Sequence, residues 1–326
     1  MSQPQSIDGV LVQWGDRLFY PGNRVVKVAP QPKLIANLAR RAAAIRARVE
    51  ATAVRRAPQV MVKVTGGGRG MKAIAAHFRY ISKNGRLDIE DEQGLSARGK
   101  EGLLELADDW RFGGTLIDDV ADRREAFNIM LSMPRGTDPL IVQRAAREFA
   151  QAELADHKYV MVLHDHQANP HVHISVRAES KHGKRLNPRK ADLQRWRETF
   201  AEKLRGWGID AEATRQASRG AVRNYDPLWR VNARQEGRLL KSRPGRKSGA
   251  AATASRSQAA EAWGHIAGAL AGSADPKDRS LADAIVRFVR DASPEKTRQP
   301  DEAARQHRTR DLQVGPAHSR DREYQK

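Results

Sequence analysis

The period of the apolar positions changes several times along this chain, and each change marks an element. Four β-rich runs, at residues 59–65, 126–133, 158–164 and 171–178, read as strands bounded by turn residues. Between them the spacing becomes helical. Ile74, His77, Phe78 and Ile81 share one helix face, and Asn84-Gly85 supplies the stop. Residues 102–110 read as a second helix, and 138–156 as a third with an Asp-Pro start. Leu193, Trp196, Phe200 and Leu204 define a fourth over 190–206, and a polar helix follows near 227–240. Strands separated by helices, with one short turn joining two of them, predict an α+β domain: a central antiparallel sheet flanked by helices.

Outside that region the pattern weakens. Residues 1–32 contain four prolines and read as an irregular lead-in with a short strand at Val10–Val12. Lys33 to Pro58 is rich in Ala, Leu and Arg and reads as one helix; its seven basic residues face the single acid Glu50, so either DNA contact or a solvated face fits. Residues 241–258 are poor in large apolar side chains and read as a linker. Short apolar patterns at 260–270 and 281–289 predict a small helical segment over 259–292, and the tail 293–326 has the composition of a disordered chain. The expected organisation is thus an extension over 1–57, a principal domain over 58–240, then linker, helical segment and tail.

Composition narrows the partners. Lys plus Arg number 58 against 39 acidic residues, a formal charge of +19, which attracts polyanions. No apolar run approaches the roughly 20 residues a spanning helix needs, so membrane insertion is not expected and nucleic acid is the favoured partner. The first residues, MSQPQSIDGV, lack a charged-then-apolar leader pattern, which predicts a cytoplasmic protein. With no cysteine in the chain, a bound metal must be held by His, Asp or Glu.

The candidate chemistry lies in HDHQANPHVHISV, residues 164–176. Side chains alternate along a strand, so His171 and His173 share a face while Val172 packs behind them. His164 closes the preceding strand, and the Asn-Pro turn can fold it back onto the pair. Three neutral imidazoles suit Zn, Mn, Ni, Co or Fe and leave positions open for water or substrate. In a basic cleft such an ion suits phosphodiester chemistry. Without cysteine, the nucleophile is metal-bound water, Ser or Tyr; Tyr80 lies among Arg79, Lys83 and Arg86, whose charges favour its anion. The acid-free turn Lys181–Lys190, with Lys184 and Arg185, is expected beside the metal site to meet phosphates. Gly66, Gly67 and Gly68 are read as a bend rather than a phosphate loop, since the GK[ST] of a P-loop is absent.

Three motifs now carry a resemblance: YISKNGRL at 80–87, LSMPRGT at 131–137 and the histidine motif at 164–173. Over about residues 58–215 the chain resembles VirD2-like conjugative relaxases, mobilisation nucleases of the His-hydrophobe-His endonuclease superfamily. The resemblance implies a protein that nicks and rejoins one DNA strand at an origin of transfer. Tyr80 would attack the scissile phosphate and stay joined to the 5′ end. Ser132 would help hold the DNA, with Lys83, Arg86, Lys184 and Arg185 as phosphate contacts, and His164, His171 and His173 would hold Mg²⁺ or Mn²⁺, with Zn, Ni or Co as alternatives. Relatives often carry Asp two residues after the first ligand; here His166 stands there, preceded by Asp165. That leaves His166 open as a group behind the ligands, a weak fourth ligand or a proton acceptor for Tyr80.

The resemblance also implies relaxosome accessory proteins, a type IV secretion coupling protein, and export of the protein with its DNA, the tail being either a candidate signal or a disordered solubilising segment. Two other readings remain at this point. A rolling-circle replication initiator shares the histidine core, but its tyrosine usually follows the histidines, which makes Tyr225 its candidate. A non-catalytic basic DNA-binding accessory protein would bind in a salt-sensitive way and never nick.

Overall fold

The computed structural model describes residues 6–19, 37–216, 218–219, 237–238 and 249–292. Its centre is a six-stranded sheet: β1 (Met61–Gly66), β2 (Ile89–Asp91), β3 (Ser96–Ala97), β4 (Ala126–Ser132), β5 (His157–His164) and β6 (His171–Ser180). The order across it is β1-β4-β6-β5-β2-β3, and each neighbouring pair is antiparallel. All four strands expected from the pattern are present. The short β2–β3 hairpin was not anticipated, because three- and two-residue strands carry too little periodicity to register.

Residues paired directly across an antiparallel ladder point to the same side. One side therefore carries Leu131, Ile129, Val172, Ile174 and Met161, which pack against α5 (Pro139–Glu153) and α6 (Lys190–Gly206) through Phe149, Trp196 and Phe200. Asp138 caps α5 by accepting the Leu140 N–H at 2.8 Å, with Pro139 in the first turn, as the Asp-Pro start predicts. The opposite side presents Val160, Val162 and Ala126 to α3 (Met71–Ile81) and α4 (Gly99–Phe112). There Phe78 is fully buried edge-on against Trp110, ring centroids 4.9 Å apart. Truncating Phe78 to Ala would cost about 3–5 kcal/mol.

The glycine cluster is the expected bend. A Cβ on Gly67 would stand 2.2 Å from the Ala126 carbonyl oxygen, so only glycine allows the chain to cross β4 there. The N–H groups that open α3 are occupied as well, since Met71 and Lys72 donate to the Asp118 and Asp119 carbonyls. No phosphate cradle is formed.

A second core joins the two ends of the described chain. Helices α1 (Ile7–Phe19), α2 (Leu38–Val49), α7 (Ala250–Ala271) and α8 (Pro276–Ala292) bury Leu11, Phe19, Ile45, Trp263, Ile266 and Phe288 together. This corrects two expectations. Val10–Val12 lies in a helix, because Leu11, Val12, Leu18 and Phe19 form a helical stripe that a three-residue window misreads as β. Residues 250–258, expected as linker, are the first turns of α7: alanine is the best helix former, and low apolar content there reflects an exposed helix start.

The basic helix is also reinterpreted. It runs as α2 into a π-helical turn at Glu50–Val54, and five of its arginines are engaged by acids. Arg46 spans Asp8 and Asp278, tying three helices; Arg48 reaches Glu198 and the buried Glu212, tying this unit to the domain of the central sheet. Those guanidiniums hold the protein together rather than facing a polyanion. All but residues 237–238 of the helix expected near 227–240, the candidate Tyr225 and the tail 293–326 lie outside the described residues.

Candidate metal and phosphodiester site

The site forms at one end of the two central strands. Ser132, His171 and His164 are direct neighbours across β4, β6 and β5, so all three project from the same side of the sheet. His173 follows two positions along β6 on that side, opposite Met130 and Val162. The ring centroids of the three histidines stand 4.7–5.0 Å apart, and one nitrogen from each lies within 4.8 Å of the others. Val172 points the other way and is fully buried, as the alternation predicts.

Burial pushes all three imidazoles down in pKa: His164 and His171 fall below the usual histidine range, and His173 drops to about 3. They are neutral at physiological pH, the form that binds a metal. Their second nitrogens decide which atom is available. His164 donates from Nε2 to the Ile81 carbonyl at 2.6 Å, leaving Nδ1; His171 donates from Nδ1 to the Asn169 carbonyl at 2.9 Å, leaving Nε2. A soft-to-borderline nitrogen donor set with two orienting bonds already made fits a divalent ion. Among the described residues this is the one such cluster.

The Ile81 bond links the triad to the helix that carries Tyr80. The last carbonyls of a helix lack intrahelical partners, and Ile81 obtains one from His164. The chain can turn away there because Lys83, Asn84 and Gly85 adopt left-handed φ angles of 52°, 59° and 80°. A side chain on Gly85 would meet the Gly99 backbone at 2.6 Å. Tyr80 itself is 69% exposed, with its ring 6.1 Å from His77, which in turn stands 6.4 Å from His173. The exposed Lys83 is near enough that its charge helps depress His164, and Arg86 is exposed in the same turn.

Ser132 is at the strand end but buried, donating weakly to the Pro170 carbonyl at 3.3 Å. His166 is exposed and stacks obliquely 5.1 Å from His164; the adjacent Asp165 is exposed too. Two expected residues do not join the site. Lys184 and Arg185 follow the far end of β6, where Ser180 donates to the Lys184 carbonyl. The ten-residue strand His171–Ser180 separates that end from His171 by about 30 Å at roughly 3.3 Å per residue. Arg185 is committed to Glu125, Glu179 and the Arg124 carbonyl. A short sequence distance to the histidines concealed this, because the intervening strand is extended.

Two neighbours were missed. His77, placed by its spacing on the packed face of α3, has Nε2 buried without a hydrogen-bond partner among the described residues, and burial lowers its pKa to about 4. Lys63 shares the row of Met130 and His173 and is exposed beside them; the alternation of β1 contained that signal once the register was known.

The site is thus a His-Val-His pair on a central strand of an antiparallel sheet held between helix layers, with a third histidine brought beside it. Residues 83–209 match the family model described as "Relaxase: MobA/VirD2-like, nuclease domain". The match contains Ser132 and all three histidines and begins just after Tyr80. The chain is 26% identical over 187 residues to the "T-DNA border endonuclease VirD2" of Rhizobium radiobacter, covering 50% of this chain and 43% of that protein. It thus spans less than half the length of that relative. A solved structure described as "Molecular Basis of Vancomycin Resistance Transfer in Staphylococcus aureus" overlaps 49% of this chain and 99% of its own, at 16% identity and a TM-score of 0.29, too slight to bear on the fold. Residues 83–209 are thus similar to the nuclease domain of MobA/VirD2-like relaxases. Among the described residues no helix is long and apolar enough to cross a membrane.

Proposed function

We propose that the protein nicks and rejoins one strand of DNA at an origin of transfer through a covalent tyrosyl intermediate. The observation that carries this reading is the His164–Ile81 hydrogen bond, which fixes the Tyr80 helix against a neutral three-imidazole cluster. His164, His171 and His173 would hold a divalent ion, Mg²⁺ or Mn²⁺ on this reading, which when bound would supply charge stabilisation at a phosphoryl oxygen. Tyr80 loses its hydroxyl proton and its oxygen bonds to phosphorus. The bond to the 3′ oxygen breaks, and that oxygen leaves and takes up a proton. The phosphodiester count is unchanged, so the reverse attack by a 3′ hydroxyl reseals the strand and frees Tyr80.

Lys83, Arg86 and Lys63 border the site and supply phosphate contacts, while Ser132 orders the strand ends beneath the DNA. The exposed His166, 5.1 Å from His164, and the adjacent Asp165 are the candidates to accept the Tyr80 proton or to orient His164. Accessory proteins that shape the origin, a type IV coupling protein and export with the DNA follow from the same reading. The test is incubation with a single-stranded origin oligonucleotide and Mn²⁺, then mass spectrometry of peptide-DNA adducts. An adduct on Tyr80, absent in Tyr80→Phe with binding retained, is the expected result. An adduct on Tyr225 would favour a replication initiator, and binding without any nick across metals would favour an accessory DNA-binding protein.

A further inference from the structure

Two buried nitrogens near the triad have no hydrogen-bond partner among the described residues: Nδ1 of His173 on β6 and Nε2 of His77 on α3. A buried imidazole nitrogen left unpaired costs about 1–3 kcal/mol, so two in one place call for a common explanation. The two rings meet edge to face with centroids 6.4 Å apart, at 76°. That separation is too long for a direct nitrogen-to-nitrogen hydrogen bond and fits one bridged by a single water. His77 also stands one helical turn before Tyr80, with their rings 6.1 Å apart.

We propose that His77 is a positioning residue for the metal cluster: it orients His173 through one ordered water. The Nδ1–H of His173 donates to the water, and the water donates to the Nε2 lone pair of neutral His77. His173 is thereby left with Nε2 for the ion. This completes the triad, since His171 and His164 already have backbone carbonyls on their second nitrogens while His173 has none. The arrangement gives α3 two ties to the ligands, one at Ile81 and one at His77, with Tyr80 between them. The inference rests on reading the triad as a metal site.

The test is Mn²⁺ titration of the full-length protein by calorimetry, with no DNA present, alongside thermal melting of each metal-free variant. His77→Leu fills the space but offers no acceptor and should weaken Mn²⁺ binding about tenfold or more, in the range typical for groups that orient ligands. His77→Gln places an amide near the Nε2 position and should restore affinity close to that of the unmodified protein. His77→Asn keeps polarity but falls short; it should bind as weakly as the Leu variant, and it serves if that variant does not fold. Unaltered affinity in a folded Leu or Asn variant overturns the proposal. So does a Gln variant as weak as Leu, because then shape rather than hydrogen bonding matters. If the unmodified protein binds no Mn²⁺, the metal reading itself fails, a result separable from the others.

Discussion

The two ends of strand β6 use polar side chains in opposite ways. At its start, His171 and His173 join His164 as neutral imidazoles, and among the described residues no acid is hydrogen-bonded to any of them. Toward its other end, Arg177 donates to the carbonyls of Trp110, Gly113 and Thr115, and Glu179 and the buried Glu125 hold Arg123 and Arg185. One end has its charges satisfied internally, so it contributes stability. The other keeps lone pairs unspent, so it can accept an ion and a phosphate. Net positive charge alone does not distinguish them; what matters is which cations already have partners.

Substitutions should separate the two ends sharply. His171→Ala should reduce metal-dependent cleavage on the order of 10³-fold with little change in melting temperature, read from oligonucleotide nicking. Normal cleavage would make the triad structural. At the other end, Glu125→Ala removes the buried acceptor that Arg185 uses beside Glu179 and should lower stability by about 1–2 kcal/mol in urea unfolding. Nicking at low temperature should persist; a lost nick with intact stability would erase the contrast.

Acid should act next in size. His77 and His173 have folded pKa values pushed below their unfolded value, to about 4 and about 3. The unfolded chain therefore takes up protons first, near pH 6.5, so stability is fully present above that pH. It should fall as pH drops from about 6.5 toward 3, and His77→Gln should flatten the part above 4; a pH-independent melting temperature there would contradict the burial argument. The smallest effect concerns DNA contacts. Lys63→Ala should lower oligonucleotide affinity and reduce the salt slope by about one, whereas Lys184→Ala should leave nicking rates unchanged. Equal effects would show that DNA reaches both ends of the strand.

Sequence reading recovered the strands, the shared face of His171 and His173, the turn that returns His164, and the helix carrying Tyr80, because each rests on a local period. It failed where partners are remote. The Arg46 and Arg48 ion pairs bridge 38 to 232 residues, so nothing local distinguished them from a DNA-binding face. Lys184 was placed beside the histidines by proximity along the chain, although an extended strand carries it away. His77 was hidden for another reason: its spacing matches the packed face of α3, and only the register of β6 reveals what it packs against.

The second core has a consequence for the order in which this protein is made. Helices α1 and α2 are complete by Val49, but the residues that cover them, in α7 and α8, end at Ala292. The sheet and its flanking helices are finished by Gly206. At roughly 5–20 residues per second, the apolar faces of the first two helices wait on the order of 10–50 s for their partners. During that interval Leu11, Phe19 and Ile45 are open to other surfaces, so chaperone engagement and nascent-chain aggregation should concentrate on these first two helices.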